Sequence, residues 1–341
     1  IKSNHYKKTM RKILSLFVIF LFVSAAPGCL KDPLNQPSED GGQMSGNESS
    51  WAHGLSSSCI SYDEMERCWD LYAPATIDPQ YCLENSCPLV FDFHGFNSNP
   101  EIQKTLSGFD DLSDEFGFVV VYPLGYENSW NSGWCCGEAS ENGIDDLGFI
   151  LEISEQVEDI WNTDSARRYL TGYSNGCSMV QKLANEVSQF FAAAGCMAHY
   201  LLETPSPNYS PIPIIEVHGI HDPVIPYGET YGFSPWIQHS CDGDCQGAIS
   251  NMETWAEMNG CSGSTPDTEI LEYDYSIIGY TQCENNASVQ LFTLNLAHHN
   301  PYKKDYPSNN LWSPVTSNGN PTGIDSSLIV WEFLSQYSKE L

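Results

Sequence analysis

A serine flanked by glycines two positions away on each side, Gly172-Tyr173-Ser174-Asn175-Gly176, is the pattern that could do chemistry. It follows an apolar stretch, Tyr169-Leu170-Thr171, and opens a segment with helical periodicity. A strand that turns sharply into a helix pushes the serine hydroxyl out, and only small residues leave room for such a turn. The amides that open the helix favour negative charge there. The chemistry implied is nucleophilic acyl transfer through Ser174. It requires an imidazole base and a carboxylate to orient that base.

Both partners have candidates later in the chain, in the order acid then histidine. Asp222 lies just past a strand-like run, in Val217-His218-Gly219-Ile220-His221-Asp222-Pro223. Asp145 and Asp146 precede the serine and head a helix, so they read as helix N-terminal stabilisers. Ala297-His298-His299-Asn300-Pro301 follows the last strand-like run and offers two adjacent imidazoles. The spacing leaves His298 and His299 open as the base. His94 and His218, as lone histidines, read as structural. An oxyanion needs two backbone donors. The Asn175 amide, directly after the serine, supplies one, and the Phe96 amide of His94-Gly95-Phe96-Asn97 is the candidate for the other.

These groups need a sheet to converge. From Cys59 onward strand-like and helix-like segments alternate, which predicts an α/β fold with a mostly parallel central sheet flanked by helices. Strands are expected over 67–72, 88–93, 118–122, 168–171, 190–197, 212–217 and 289–296. Helices are expected over 101–116, 144–161, 175–187 and 324–337. Only about a dozen residues separate the strands ending near Met197 and beginning near Ile212, too few for a cap domain, so an open cleft is expected. A longer insertion, 227–250, holds Trp236 and a Cys241-Asp242-Gly243-Asp244-Cys245 knot, which reads as a solvated turn because its carboxylates lack a full calcium ligand set.

Acids outnumber bases 44 to 14, for a formal charge of -30 over 341 residues. Five of the 14 bases precede residue 30, so the remainder carries nine against 44 acids. Such a surface repels nucleic acid and anionic lipid and suits a neutral substrate. Met10-Arg11-Lys12 followed by the apolar run Ile13–Ala26 reads as an export signal over 1–29, with 1–9 as upstream read-through. The small residues before Cys29 leave two readings, lipid attachment at Cys29 or plain signal cleavage. Residues 30–55, rich in Ser, Gly, Asn and acids, read as a flexible linker, and 56–341 as one catalytic domain. The protein is expected to be secreted or lipid-anchored at the cell envelope, and monomeric. Thirteen cysteines, twelve without Cys29, suit an oxidising compartment. Cys59 with Cys68, Cys82 with Cys87, Cys241 with Cys245 and Cys261 with Cys283 are short-range candidates. The cysteines lack metal-knuckle spacing, so no metal and no cofactor are expected.

Several stretches together resemble the secreted polyhydroxybutyrate-depolymerase and feruloyl-esterase group of the α/β-hydrolases. They are FHGFNSN at Phe93 to Asn99, SWNSGWCCGEASENGIDDLGFI at Ser129 to Ile150, RRYLTGYSNGCSM at Arg167 to Met179, PIIEVHGIHDPVIPY at Pro213 to Tyr227 and WAEMNGC at Trp255 to Cys261. The family's histidine lies in a Gly-His-x-Trp-Pro motif, and the resemblance therefore selects His298. Ala297 and Asn300 depart from the motif's glycine and tryptophan. Cys177 stands where glycine is common, with Cys135, Cys136 or Cys196 as partners. By resemblance Trp130, Trp134 and Tyr227 line the cleft. The resemblance implies a serine carboxylic-ester hydrolase with the triad Ser174, Asp222 and His298, acting on polyester or feruloyl-type esters. A catalytically dead carbohydrate-binding protein and a serine peptidase are the rival readings.

Overall fold

A computed structural model describes residues 51–228, 247–263, 265–305 and 319–339. The expected export signal, Cys29, most of the expected linker, Trp236 and the Cys241–Cys245 knot lie outside the described residues. The elements run β1 (Gly54–Tyr62), β2 (Met65–Ala73), α1 (Pro79–Asn85), β3 (Leu89–Phe93), α2 (Pro100–Ser107), α3 (Phe109–Phe116) and β4 (Val119–Pro123). Then follow α4 (Glu138–Glu141), α5 (Asp146–Trp161), β5 (Arg168–Tyr173), α6 (Asn175–Glu186), β6 (Ala193–Met197) and β7 (Ile214–Gly219). The last are α7 (Ala248–Met258), β8 (Thr268–Leu271), β9 (Tyr275–Tyr280), β10 (Val289–Leu294) and α8 (Ser326–Leu334).

The strands form one sheet in the order β1-β2-β4-β3-β5-β6-β7-β10-β9-β8. Its centre, from β4 to β10, is parallel. Both edges are antiparallel. Central strands read as continuous apolar runs because helices cover both faces. Period-two alternation divides their side chains. Val119 and Val121 of β4 join a core with Phe149, Ile153 and Trp161 of α5, Val180 and Leu183 of α6, and Trp255 of α7. Val120 and Tyr122 join a second core with Leu106, Phe109, Leu112, Trp331 and Leu334.

The expected strands and helices of the centre are all present, with ends that differ by a few residues. The single helix expected over 101–116 is two helices. Gly108, at φ 63°, caps α2 and starts α3, turning the chain where a left-handed residue is needed. Edge elements escaped the sequence. β1 begins inside the expected linker and pairs with β2 through a tight turn whose central residues, Asp63 and Glu64, both have positive φ. That is the primed turn geometry, built here without the glycine that announces it. β8 is largely exposed and β9 mostly half-buried, so the apolar pattern of this hairpin is weak.

Disulfides join Cys59 to Cys68, Cys82 to Cys87 and Cys261 to Cys283, as expected. Cys177 pairs with Cys196, linking α6 to β6, and Cys135 pairs with its neighbour Cys136. Between β6 and β7 the chain forms neither helix nor strand.

Arg67 of β2 and Asp146 of α5 form a buried ion pair at 2.6 Å. Asp146 also accepts the Asn131 amide at 2.7 Å, so the pair joins sheet, helix and the loop after β4. The neighbouring Asp145 caps α5, accepting from the Gly148 amide at 2.9 Å. Replacing Arg67 by Met is expected to cost about 3–5 kcal/mol, because it leaves Asp146 buried without a counter-charge. Denaturant unfolding measures the loss, and the R67M/D146N pair should recover part of it.

Candidate active site

The sheet brings Ser174, Asp222 and His299 to one edge. Ser174 follows β5, Asp222 lies in the turn after β7, and His299 follows β10. These strands run parallel, so their carboxyl ends share an edge, the place where open α/β sheets bind ligands.

Ser174 has φ 53° and ψ -122°, a conformation L-residues rarely adopt. Backbone crowding around it is severe. A side chain carbon on Gly176 would lie 2.2 Å from the Phe93 carbonyl oxygen, and one on Gly172 would lie 2.9 Å from the Gly176 oxygen. Both glycines are therefore demanded by the close approach of β3 to the turn. The Ser174 amide donates to the Met197 oxygen at 2.9 Å, which ties the turn to β6.

The imidazole beside Ser174 is where sequence and structure part. His299 Nε2 is 3.0 Å from Ser174 Oγ, and its Nδ1 is 2.8 Å from Asp222 Oδ2. His298 is exposed and turns its ring edge toward His221, 6.2 Å away. The His298 amide donates to the Gly319 oxygen, and the two adjacent side chains part: His298 is exposed and His299 is buried. Gly219 permits the arrangement, since a side chain carbon there would lie 2.4 Å from the His298 oxygen. The motif comparison that selected His298 is thus corrected by one residue.

A carboxylate only accepts, so His299 Nδ1 carries the proton and Nε2 is left to accept from the serine. Asp222 is held twice over. Its Oδ1 accepts the Val224 and Ile225 amides at 2.7 and 2.8 Å. Burial raises its pKa, but the charges and hydrogen bonds of His299 and His218 outweigh that and hold it below the usual carboxylate range.

The Phe96 and Asn175 amides donate to no protein acceptor among the described residues. The Phe96 segment is fixed by a turn, Ser98 amide to Gly95 oxygen at 3.1 Å, with Asn97 at φ 54°. His94 anchors it. Its Nε2 accepts the Gly125 amide at 3.0 Å, so Nδ1 carries the proton and donates to the Gly95 oxygen at 2.8 Å. The Asn175 side chain grips the loop after β4, accepting the Trp130 amide at 2.8 Å and donating to Ser132 Oγ at 3.1 Å.

The expected binding residues divide. Trp130 is wholly buried, packs edge-on against Phe93 and donates its indole N–H to the His94 oxygen at 2.9 Å. It supports the oxyanion segment and cannot line a cleft. Tyr227 engages Thr293 Oγ1 with its hydroxyl at 2.8 Å and packs beside His218, so that hydroxyl is already committed. Trp134 is 54% exposed. Asn300, at the position of the motif's tryptophan, is a buried turn former that accepts the Tyr302 amide. His199 was not singled out in the sequence. A ring nitrogen lies within 4.8 Å of the Cys135 and Cys136 sulfurs, which as a disulfide have no thiolate to offer a metal.

Solved structures with this architecture include an acetyl xylan esterase from Aspergillus awamori, 16% identical with a TM-score of 0.50, covering 72% of this chain and 94% of that one. A thermostable esterase is 18% identical with a TM-score of 0.51, covering 84% and 63%. The fold is that of the α/β-hydrolases. In sequence, a protein described as "Probable feruloyl esterase C" from Aspergillus clavatus is 31% identical over 201 residues, 54% of this chain and 68% of that one. The chain belongs to the feruloyl-esterase-type family of α/β-hydrolases. Other relatives are a bifunctional acetylxylan esterase/xylanase of Neocallimastix patriciarum, 29% identical over 48% of this chain, and feruloyl esterase B of Piromyces equi, 25% identical over 63%. The chain spans 22% and 40% of the length of those two relatives. No family model matches the sequence.

Burial lowers the pKa of His94 to about 4 and that of His199 to about 3. The unfolded chain therefore binds these protons first, and their contribution to stability is lost as pH falls from about 6.5 toward 4. Imidazole NMR is expected to show two histidines that do not titrate above pH 5. If every resolved histidine titrates near 6.5, the buried neutral assignments are wrong.

Proposed function

We propose that the chain is a serine carboxylic-ester hydrolase using Ser174, His299 and Asp222. The observation that carries this is the unbroken contact from serine to imidazole to carboxylate, 3.0 and 2.8 Å, on a strained turn. His299 takes the Ser174 proton as Oγ attacks an ester carbonyl. Asp222 stabilises the imidazolium that forms. The Phe96 and Asn175 amides hold the oxyanion, and the alcohol leaves with the proton from His299. Water, deprotonated by the same imidazole, then releases the acid and restores the serine.

For the substrate we favour feruloyl or acetyl esters on plant polysaccharide. The support is the relatives described as feruloyl and acetylxylan esterases and the surface charge, which suits a neutral polymer. The relatives named above are described by feruloyl and acetyl esters, not by polyester. Export, as an extracellular or envelope-tethered enzyme, is supported by the five disulfides among the described residues. A dead binding protein would not need an aligned triad, and a peptidase would share one, so assays separate them.

Purified protein is expected to hydrolyse p-nitrophenyl acetate, methyl ferulate and acetylated xylan, and to leave polyhydroxybutyrate film and peptides intact. Ser174→Ala should abolish turnover and labelling by a fluorophosphonate probe. His299→Ala should lower kcat/KM by about 10⁴-fold or more, while His298→Ala stays within about threefold. Turnover surviving in S174A, or H298A as damaging as H299A, would overturn the assignment.

A further inference from the structure

β7 is apolar except at two positions, Glu216 and His218, both fully buried. Two residues apart on a strand, they share the face that carries Ile214 toward α6 and α7. His218 Nδ1 is 2.6 Å from Glu216 Oε1. Its Nε2 is 2.9 Å from the Ile225 oxygen and 3.3 Å from Asp222 Oδ2. A carbonyl oxygen only accepts, so Nε2 carries a proton. Glu216 Oε2 accepts from Asn251 Nδ2 of α7 at 2.8 Å. That amide also reaches Gln181 Oε1 of the nucleophile's own helix at 3.0 Å. Paired with an ionised Glu216, Nδ1 is protonated too, and His218 is an imidazolium between two carboxylates. The triad chemistry above uses neither Glu216 nor His218.

We propose that Glu216 and His218 are positioning residues for the triad acid, forming the buried chain Glu216–His218–Asp222–His299–Ser174. Asp222 Oδ2 is shared by the two imidazoles, and Oδ1 is held by two amides, so the carboxylate has one orientation. The fixed cation at His218 also opposes the arrival of a second positive charge on His299. The inference rests on the triad reading.

Burial works against the imidazolium, yet the hydrogen bonds and charges of Asp222 and Glu216 raise its pKa to about 10. The other titratable groups facing it are neutral. Tyr200 stacks on its ring at 5.9 Å and Tyr227 meets it edge-on at 5.8 Å, and burial raises both phenols. His199, coupled to both histidines, is held neutral by burial. The charges that act on the triad base from this side are therefore those of Asp222, His218 and Glu216.

His218→Gln alone strands Glu216, so the E216Q/H218Q double variant, which exchanges the ion pair for amides, is the cleaner test. His218 is nearer the base than Glu216, so losing the pair makes protonation of the base easier. The acidic limb of kcat/KM for p-nitrophenyl acetate is expected to move up by about half a pH unit or more. kcat should fall about tenfold with KM within about twofold, because geometry rather than binding is disturbed. A folded double variant with the wild-type limb and kcat overturns the proposal, even where S174A is dead. On the unaltered protein, ¹⁵N imidazole NMR at pH 8 is expected to show one doubly protonated histidine. Its absence overturns the proposal whether or not the variants fold.

Discussion

The site depends on a steric constraint: β3 and the nucleophile turn approach until the Phe93 carbonyl leaves no room for a side chain on Gly176. That close approach goes with the unusual backbone conformation of Ser174, and Gly95 brings the segment before Phe96 against Ser174. Everything else supports the approach from outside. His94 ties the oxyanion segment to the loop after β4, and Trp130 fills the space behind it. Asn175 grips the far end of that loop, and the Arg67–Asp146 pair reaches it from below. The turn is strained, and the strain persists because the surroundings over-determine it.

The interior of the sheet was legible because its physics is local. Runs such as Val119-Val120-Val121 can only be buried on both faces, and a glycine-flanked serine between strand and helix has few other uses. The acid was legible for the same reason, as a carboxylate at a strand's end. The edges were not. β1 and β8 bury little, so tertiary pairing rather than pattern decides them.

The histidine shows a different limit. His298 and His299 are identical in type and adjacent, and only the direction of the side chain separates them. The backbone that presents them makes contacts such as that of the His298 amide with Gly319, across 21 positions, which no local pattern reports. Trp130 failed similarly. An indole suits a cleft or a core, and burial decided for the core. Glu216 carried a signal that could have been read, an acid in the middle of an apolar strand two residues from a histidine, because such a charge must find a partner.

The disulfides have a consequence for where the chain's order comes from. Among the described residues their partners are separated by 9, 5, 1, 19 and 22 positions, so each closes a small loop. Closing a small loop removes less freedom from the unfolded chain than closing a long one, and it does not dictate which distant strands meet across the sheet. Topology is thus the work of the two apolar cores. The bridges act as local rivets, most of them at edges and loops where a protease would otherwise find purchase. A fold laid out in this way keeps the frame around Ser174 in the hydrophobic interior and leaves cross-linking to protect the rim.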